Sequence, residues 1–169
     1  MAVGGGGRSL AVEPAQLIQA ALSQYYDQAF LDPGSWTGGV PDAAWSVFDE
    51  SVRDQAKKDE SSLALGAAIP DLASLGVTKA KLTVHVLLDA KDNPAAAVAD
   101  VVFLAAGAAS DGGQVTVTNR ATFLFRLFGK EWLIVGYPKT TTSVTTAPIS
   151  PSPPASATAT STPFAGASS

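Results

Sequence analysis

Cysteine is absent from this 169-residue chain, and histidine and methionine occur once each. The missing cysteine excludes disulfides, thiolate nucleophiles and sulfur metal ligands, and leaves the redox compartment undecided. With His85 as the only imidazole, no zinc ligand set remains, and no metal or cofactor is expected. Charge is also sparse, at 15% of residues, and acidic groups outnumber basic ones for a net charge of -4. The basic residues are scattered, only Lys57 and Lys58 being adjacent, which argues against nucleic acid as a partner. Long apolar runs are missing too. The nearest, Ala95 to Ala109, carries Asp100 and alternates, so it reads as a strand and not as a membrane span. No GxGxxG opens a helix, and GxxxxGK[ST], HExxH and GxSxG do not occur; the four early glycines lack the following lysine of a phosphate loop.

Composition divides the chain into three zones. Residues 1–11 read as a flexible glycine-rich leader, 12–139 as one α+β domain, and 140–169 as a tail. From Thr140 onward Thr, Ser, Ala and Pro dominate without periodicity, which predicts disorder, as a stalk or a passive tail. The start lacks the basic-then-apolar order of a signal peptide. The expectation is therefore either a cytoplasmic protein or one whose anchor lies upstream, and the tail favours an extracytoplasmic or cell-envelope setting.

Within the domain, Glu13-Pro14 predicts a helix start, followed by the stripe Leu17, Ile18, Ala21, Leu22, Tyr25 and Ala29. A second helix is predicted from Pro41-Asp42, burying Trp45, Phe48, Val52 and Ala56, with Asp49–Arg53 and Asp54–Lys58 at supporting i,i+4 spacing. SSLALG predicts a short third helix, capped by a serine and stopped by Gly66, with Pro70 breaking anything continuous. After Gly76 the period becomes two. Leu82, Val84, Val86 and Leu88 share one face; Lys81, Thr83, His85 and Leu87 share the other. Turns at Lys91–Pro94, Asp111–Gly113 and Phe128–Lys130 separate four strands, the last ending at Tyr137-Pro138. On the third strand, Val115, Val117, Ala121, Phe123, Phe125 and Leu127 point to the core. Gln114, Thr116, Thr118, Arg120, Thr122 and Arg126 form the wetter face. Two to three N-terminal helices packed on a four-stranded antiparallel sheet follow.

The Tyr25-Tyr26 helix, the Asp111-Gly112 hairpin and the closing Trp132-Leu133-Ile134-Val135-Gly136-Tyr137 strand resemble the nuclear transport factor 2-like (cystatin-like, cone-shaped) superfamily over about Pro14 to Lys139. In particular, the strands look similar to those of actinobacterial extracytoplasmic members. The resemblance implies a curved sheet enclosing a cone, often dimerising through the outer sheet face, with functions from isomerases, cyclases and dehydratases to secretion-apparatus scaffolds. Its enzymes use a His or Asp base and a Tyr or Asp polarising group in the cone.

Four residues are candidates for such chemistry: Asp100, His85, Tyr25 and Tyr26. The strand register sets His85 on the outer face, away from a cone. Asp100 interrupts an apolar strand. Facing the core with Val98, Val102 and Leu104 it would be a base of raised pKa. With Ala97, Ala99, Val101 and Phe103 inward, it pairs Arg120 or Arg126 outside, and this second arrangement is favoured. The tyrosines offer phenols to a pocket or lie in the core with hydroxyls at its rim. Asp89, Asp92 and Asn93 crowd one turn without the spacing of a calcium loop. No paired Asp and Tyr matches ketosteroid isomerase, and no second histidine completes a dyad. The expected function is a non-enzymatic binding or assembly module, homodimeric or docking a protein through Thr116, Thr118, Arg120, Thr122 and Arg126. The alternatives are a pocket protein or enzyme taking a small apolar ligand, and a secretion scaffold.

Overall fold

The turn signals after residue 88 become hairpins. In the computed structural model, which describes residues 6–36, 38–65 and 72–148, β1 (Leu72–Leu88), β2 (Pro94–Ala109), β3 (Gln114–Phe128) and β4 (Glu131–Ala147) follow one another. They pair antiparallel in the order β1-β2-β3-β4, as a curved, unclosed sheet. At the second hairpin Gly112 takes φ 85, and the Asp111 carboxylate accepts the Gly113 N–H at 2.8 Å. At the first, Asp89 Oδ1 accepts the N–H groups of Lys91 (2.8 Å) and Asn93 (2.9 Å). That carboxylate closes a turn, and among the described residues no group of three His, Cys, Asp or Glu is placed to hold a metal ion.

The first helix, α1 (Gly6–Tyr26), begins upstream of Glu13 and takes in part of the expected leader, so that Pro14 lies inside it. It continues as a wider π turn, Asp27–Leu31, and stops before Pro33. Its buried stripe is Ile18, Leu22, Tyr25, Tyr26, Ala29 and Phe30. Leu17, expected in that stripe, is 47% exposed, because it sits about 100° round the helix from Ile18.

The expected second helix is divided. Asp42–Val47 is a 3-10 segment, Phe48 is extended, and α2 (Glu50–Lys58) starts afresh under an Asp49 cap that accepts the Ser51 N–H at 3.1 Å. The break has a tertiary cause. The Asp49 N–H donates to the Ile134 carbonyl of β4 at 2.9 Å, drawing this segment onto the sheet. Arg53, expected opposite Asp49, instead donates Nε and Nη2 to the Phe48 carbonyl at 3.1 and 2.8 Å. Lys57–Asp42 (2.7 Å) is the one ion pair among the described residues. The short α3 (Glu60–Leu63) follows Asp59; its expected stop at Gly66, and Pro70, lie outside the described residues.

Helices and inward sheet residues share one core, which gives an α+β fold with the described helices on one sheet face. Alanines 97, 99 and 105 line the inner side of β2. Their small side chains make room for aromatic rings from α1, so that Tyr26 stacks on Phe30 (5.0 Å between centroids) and meets Phe103 (4.9 Å). β4 runs past Pro138: Thr140 to Ala147, expected in the tail, pair with Gln114 to Ala121 of β3. The β-branched threonines of this stretch, with Thr145 directly opposite Thr116, suit such a ladder. Residues 149–169 lie outside the described residues.

One close approach gives a prediction. A Cβ at Gly107 would lie 1.8 Å from the Ser74 carbonyl oxygen, across the irregular start of the β1–β2 pairing. Gly107→Ala is expected to cost about 1–3 kcal/mol and to part the strands there. Amide exchange should accelerate at Leu72 to Gly76 and stay unchanged in β3. Unchanged exchange at both would contradict this packing.

Candidate functional site

The two tyrosines lie side by side near the end of α1 but serve different partners. Tyr25 donates its hydroxyl to the Leu63 carbonyl of α3. Tyr26 donates to Asn119 Oδ1 at 2.5 Å. Asn119, 1% exposed, is the one buried polar residue among the described ones. Its Nδ2 donates chiefly to Thr142 Oγ1 (2.9 Å), with longer approaches to the Thr141 and Ser62 carbonyls, and Thr142 Oγ1 donates to the Ser62 carbonyl (2.6 Å). The result is a satisfied buried network that ties α1, α3, β3 and β4 together. Burial pushes both phenol pKa values well above the ordinary tyrosine range, for Tyr25 with a smaller contribution from Tyr26. Neither phenol is available as a base near neutrality. Sequence reasoning missed Asn119, although its place between Val117 and Ala121 on the inward face is a readable signal.

Tyr137 extends the same theme. Its hydroxyl donates to Asp59 Oδ2 at 2.8 Å, and desolvation, then that hydrogen bond, push its pKa from 10.0 to about 12. A raised phenol favours the folded state while neutral. The contribution is whole below pH 10.0 and is lost as pH rises towards about 12. Tyr137→Phe should therefore lessen the alkaline fall in stability over that window, read by urea unfolding at several pH values. An unchanged slope would contradict the assignment.

Beside Tyr26 an open groove of about 530 Å³ separates α1 from β1 and β2. Leu22, Leu82, Val84, Val101 and Phe103 make its apolar walls, and Gln19 and Ser23 of α1 and Asp27 of the following π turn line its rim at four-residue spacing. Its size is within the range of small-molecule sites. His85 and Asp100 do not reach it.

Both lie on the opposite face. Ala97, Ala99, Val101 and Phe103 point into the core, so Asp100 points out, exposed, where Thr122 Oγ1 donates to its Oδ1 at 2.8 Å. Its partner is thus Thr122 rather than Arg120 or Arg126. Arg126 instead lies 5.7 Å from the Phe128 ring centroid. Register aligns outward residues in rows across the sheet: His85–Val98–Leu124–Gly136, Thr83–Asp100–Thr122–Lys139, and Lys81–Val102–Arg120–Thr141. Thr116, Thr118, Arg120, Thr122 and Arg126 stand together on this face, and none of the described helices covers it. Where β4 shifts register between Thr122 and Leu124, the face dips into an open hollow of about 580 Å³ bordered by Asp100, Arg120, Thr122, Lys139 and Thr141.

The structure therefore brings the four chemical candidates together in no single place: Tyr25 and Tyr26 are inside, His85 and Asp100 outside. No protein-family model and no curated protein sequence matches the chain. Among the described residues no helix is long and apolar enough to cross a membrane.

Proposed function

We propose that this chain is a nuclear transport factor 2-like binding or assembly module that docks a protein partner on the outer face of its sheet. The observation that carries the reading is the uncovered face itself. Four strands of 15–17 residues present it, roughly 15 by 50 Å, on the scale of the roughly 800 Å² each partner gives to a standard interface. Half-buried Val102 and Leu104 on one side of the Asp100–Thr122–Lys139 row, and Val98 and Leu133 with Leu124 at 37% exposure on the other, form two apolar patches among threonines and arginines. Apolar patches set among polar side chains and arginine suit a protein-docking surface. The separation of Tyr25 and Tyr26 from His85 and Asp100 supports binding over turnover.

The α1–β1 groove favours a second reading, a pocket for a small apolar ligand. One experiment separates the two. Because the chain has no cysteine, Thr118→Cys on the face, Ser23→Cys at the groove and Lys58→Cys on α2 each take a single photo-crosslinking label. In extract of the source organism, a discrete protein adduct from position 118 and none from 23 or 58 is expected. Adducts from position 23 alone, or equally from all three, would overturn the docking reading.

A further inference from the structure

The outer sheet face differs in sign from the rest of the molecule. Lys79, Lys81, Arg120, Arg126 and Lys139 are exposed at outward positions, against two carboxylates there, Asp100 and Glu131. Lys81, at the β1 edge, also borders the α1–β1 groove. The segment from Leu10 to Leu65, which holds the helices, carries nine carboxylates against Arg53, Lys57 and Lys58. An acidic protein thus gathers five of its eleven basic residues on a face that no described helix covers. None of those five cations is in an ion pair among the described residues.

The densest point is the hollow at the β4 register shift. Lys139 pairs with Thr122, so Arg120, two residues earlier on β3, is its diagonal neighbour, roughly 7–8 Å away by sheet geometry. Asp100 on the far side is engaged by the Thr122 hydroxyl. Two cations outside any ion pair among the described residues therefore border this open hollow, with Val102 and Leu124 close by.

We propose that the occupant of this face is an acidic polypeptide surface, one of whose carboxylates sits between Arg120 and Lys139 while its apolar side chains cover Val98, Val102, Leu104 and Leu124. The inference rests on the docking reading above and names the chemistry of the partner. Charge weighs against the symmetric alternative, since a second copy docked face to face would bring five cations and only two carboxylates from each copy together. The central Asp100 and the apolar patches beside it suit a protein better than a phosphate backbone, which takes an unbroken cationic track.

The test uses the full chain and a fluorescein-labelled peptide of glutamates interspersed with leucines, followed by anisotropy. The peptide is expected to bind at low salt and to weaken as salt is raised. Arg120→Glu with Arg126→Glu should weaken it at least tenfold, and the neutral Arg120→Gln with Lys139→Gln should do so by a smaller factor. Lys58→Glu on α2 should leave it unchanged. Circular dichroism melts of all variants should match the parent chain, as these side chains are exposed. No binding at low salt, equal loss in Lys58→Glu, or tighter binding of polyuridylate or phosphatidylglycerol vesicles to the same face would overturn the proposal. So would salt-sensitive self-association lost in the double reversal, which would make the occupant the acidic helical layer of a second copy. The two readings fail separately. Thr116→Trp abolishing the crosslink from position 118 while the charge reversals leave it intact keeps the docking face and removes the acidic partner; neither having any effect removes both.

Discussion

Phe48→Ala should destabilise the domain by about 3–5 kcal/mol, most or all of the stability of a marginal fold. The residue is fully buried. Its ring meets Tyr25 (5.6 Å between centroids), Trp45 (5.7 Å), Phe123 (6.4 Å) and Tyr137 (6.0 Å), so one side chain joins α1, the 3-10 segment, β3 and β4. Truncation removes apolar contact and leaves a cavity that rigid sheet neighbours cannot collapse into. It also slackens the backbone that accepts Arg53 and lies beside the Asp49–Ile134 bond. Urea unfolding read by tryptophan fluorescence gives the number. A loss below about 1 kcal/mol would mean that the aromatic cluster is not the junction of the two layers.

Asn119→Leu is the second large effect, about 2–3 kcal/mol. The substitution keeps the volume roughly but leaves the Tyr26 hydroxyl buried without its acceptor, and an unmet buried donor costs about 1–3 kcal/mol. Tyr26→Phe alone strands the Asn119 oxygen in the same way. Making both changes removes donor and acceptor together, so the double variant should lose clearly less than the sum of the singles, with a coupling of about 1–3 kcal/mol. Strict additivity would contradict a direct bond between them. The cycle also shows whether α3, held by Ser62 and Leu63 carbonyls to Asn119, Thr142 and Tyr25, melts with the network or separately.

Much of the sheet was readable because its signals are local. Alternation from Val115 to Leu127 and the turn at Asp111–Gly113 need only neighbours along the chain, and the same parity assigns Asp100 and His85 outward. What escaped depends on distant contacts. Helical periodicity through Trp45 and Phe48 could not reveal that Ile134 would hold the chain extended at Phe48. The threonines from Thr140 to Thr146 carry a tail-like composition, yet paired with Val115 to Ala121 of β3 they become a strand. The groove beside Tyr26 depends on the spacing between α1 and β1, which no local pattern encodes. Asn119 was legible and overlooked, since one polar residue at an inward position announces a buried network. The charge separation was half legible: acids crowd the helical half of the sequence, but only register gathers Lys79, Lys81, Arg120, Arg126 and Lys139 onto one face.

The most direct measurement is a residue-resolved NMR titration of the isotope-labelled full chain with the acidic glutamate–leucine peptide. The account predicts that amide shifts concentrate at the outward positions of β2 to β4, foremost Val102, Arg120, Thr122 and Lys139, while Gln19, Ser23 and Asp27 of the groove stay still. Shifts confined to the groove, or spread over α2 and the turns with the outer face silent, would contradict it.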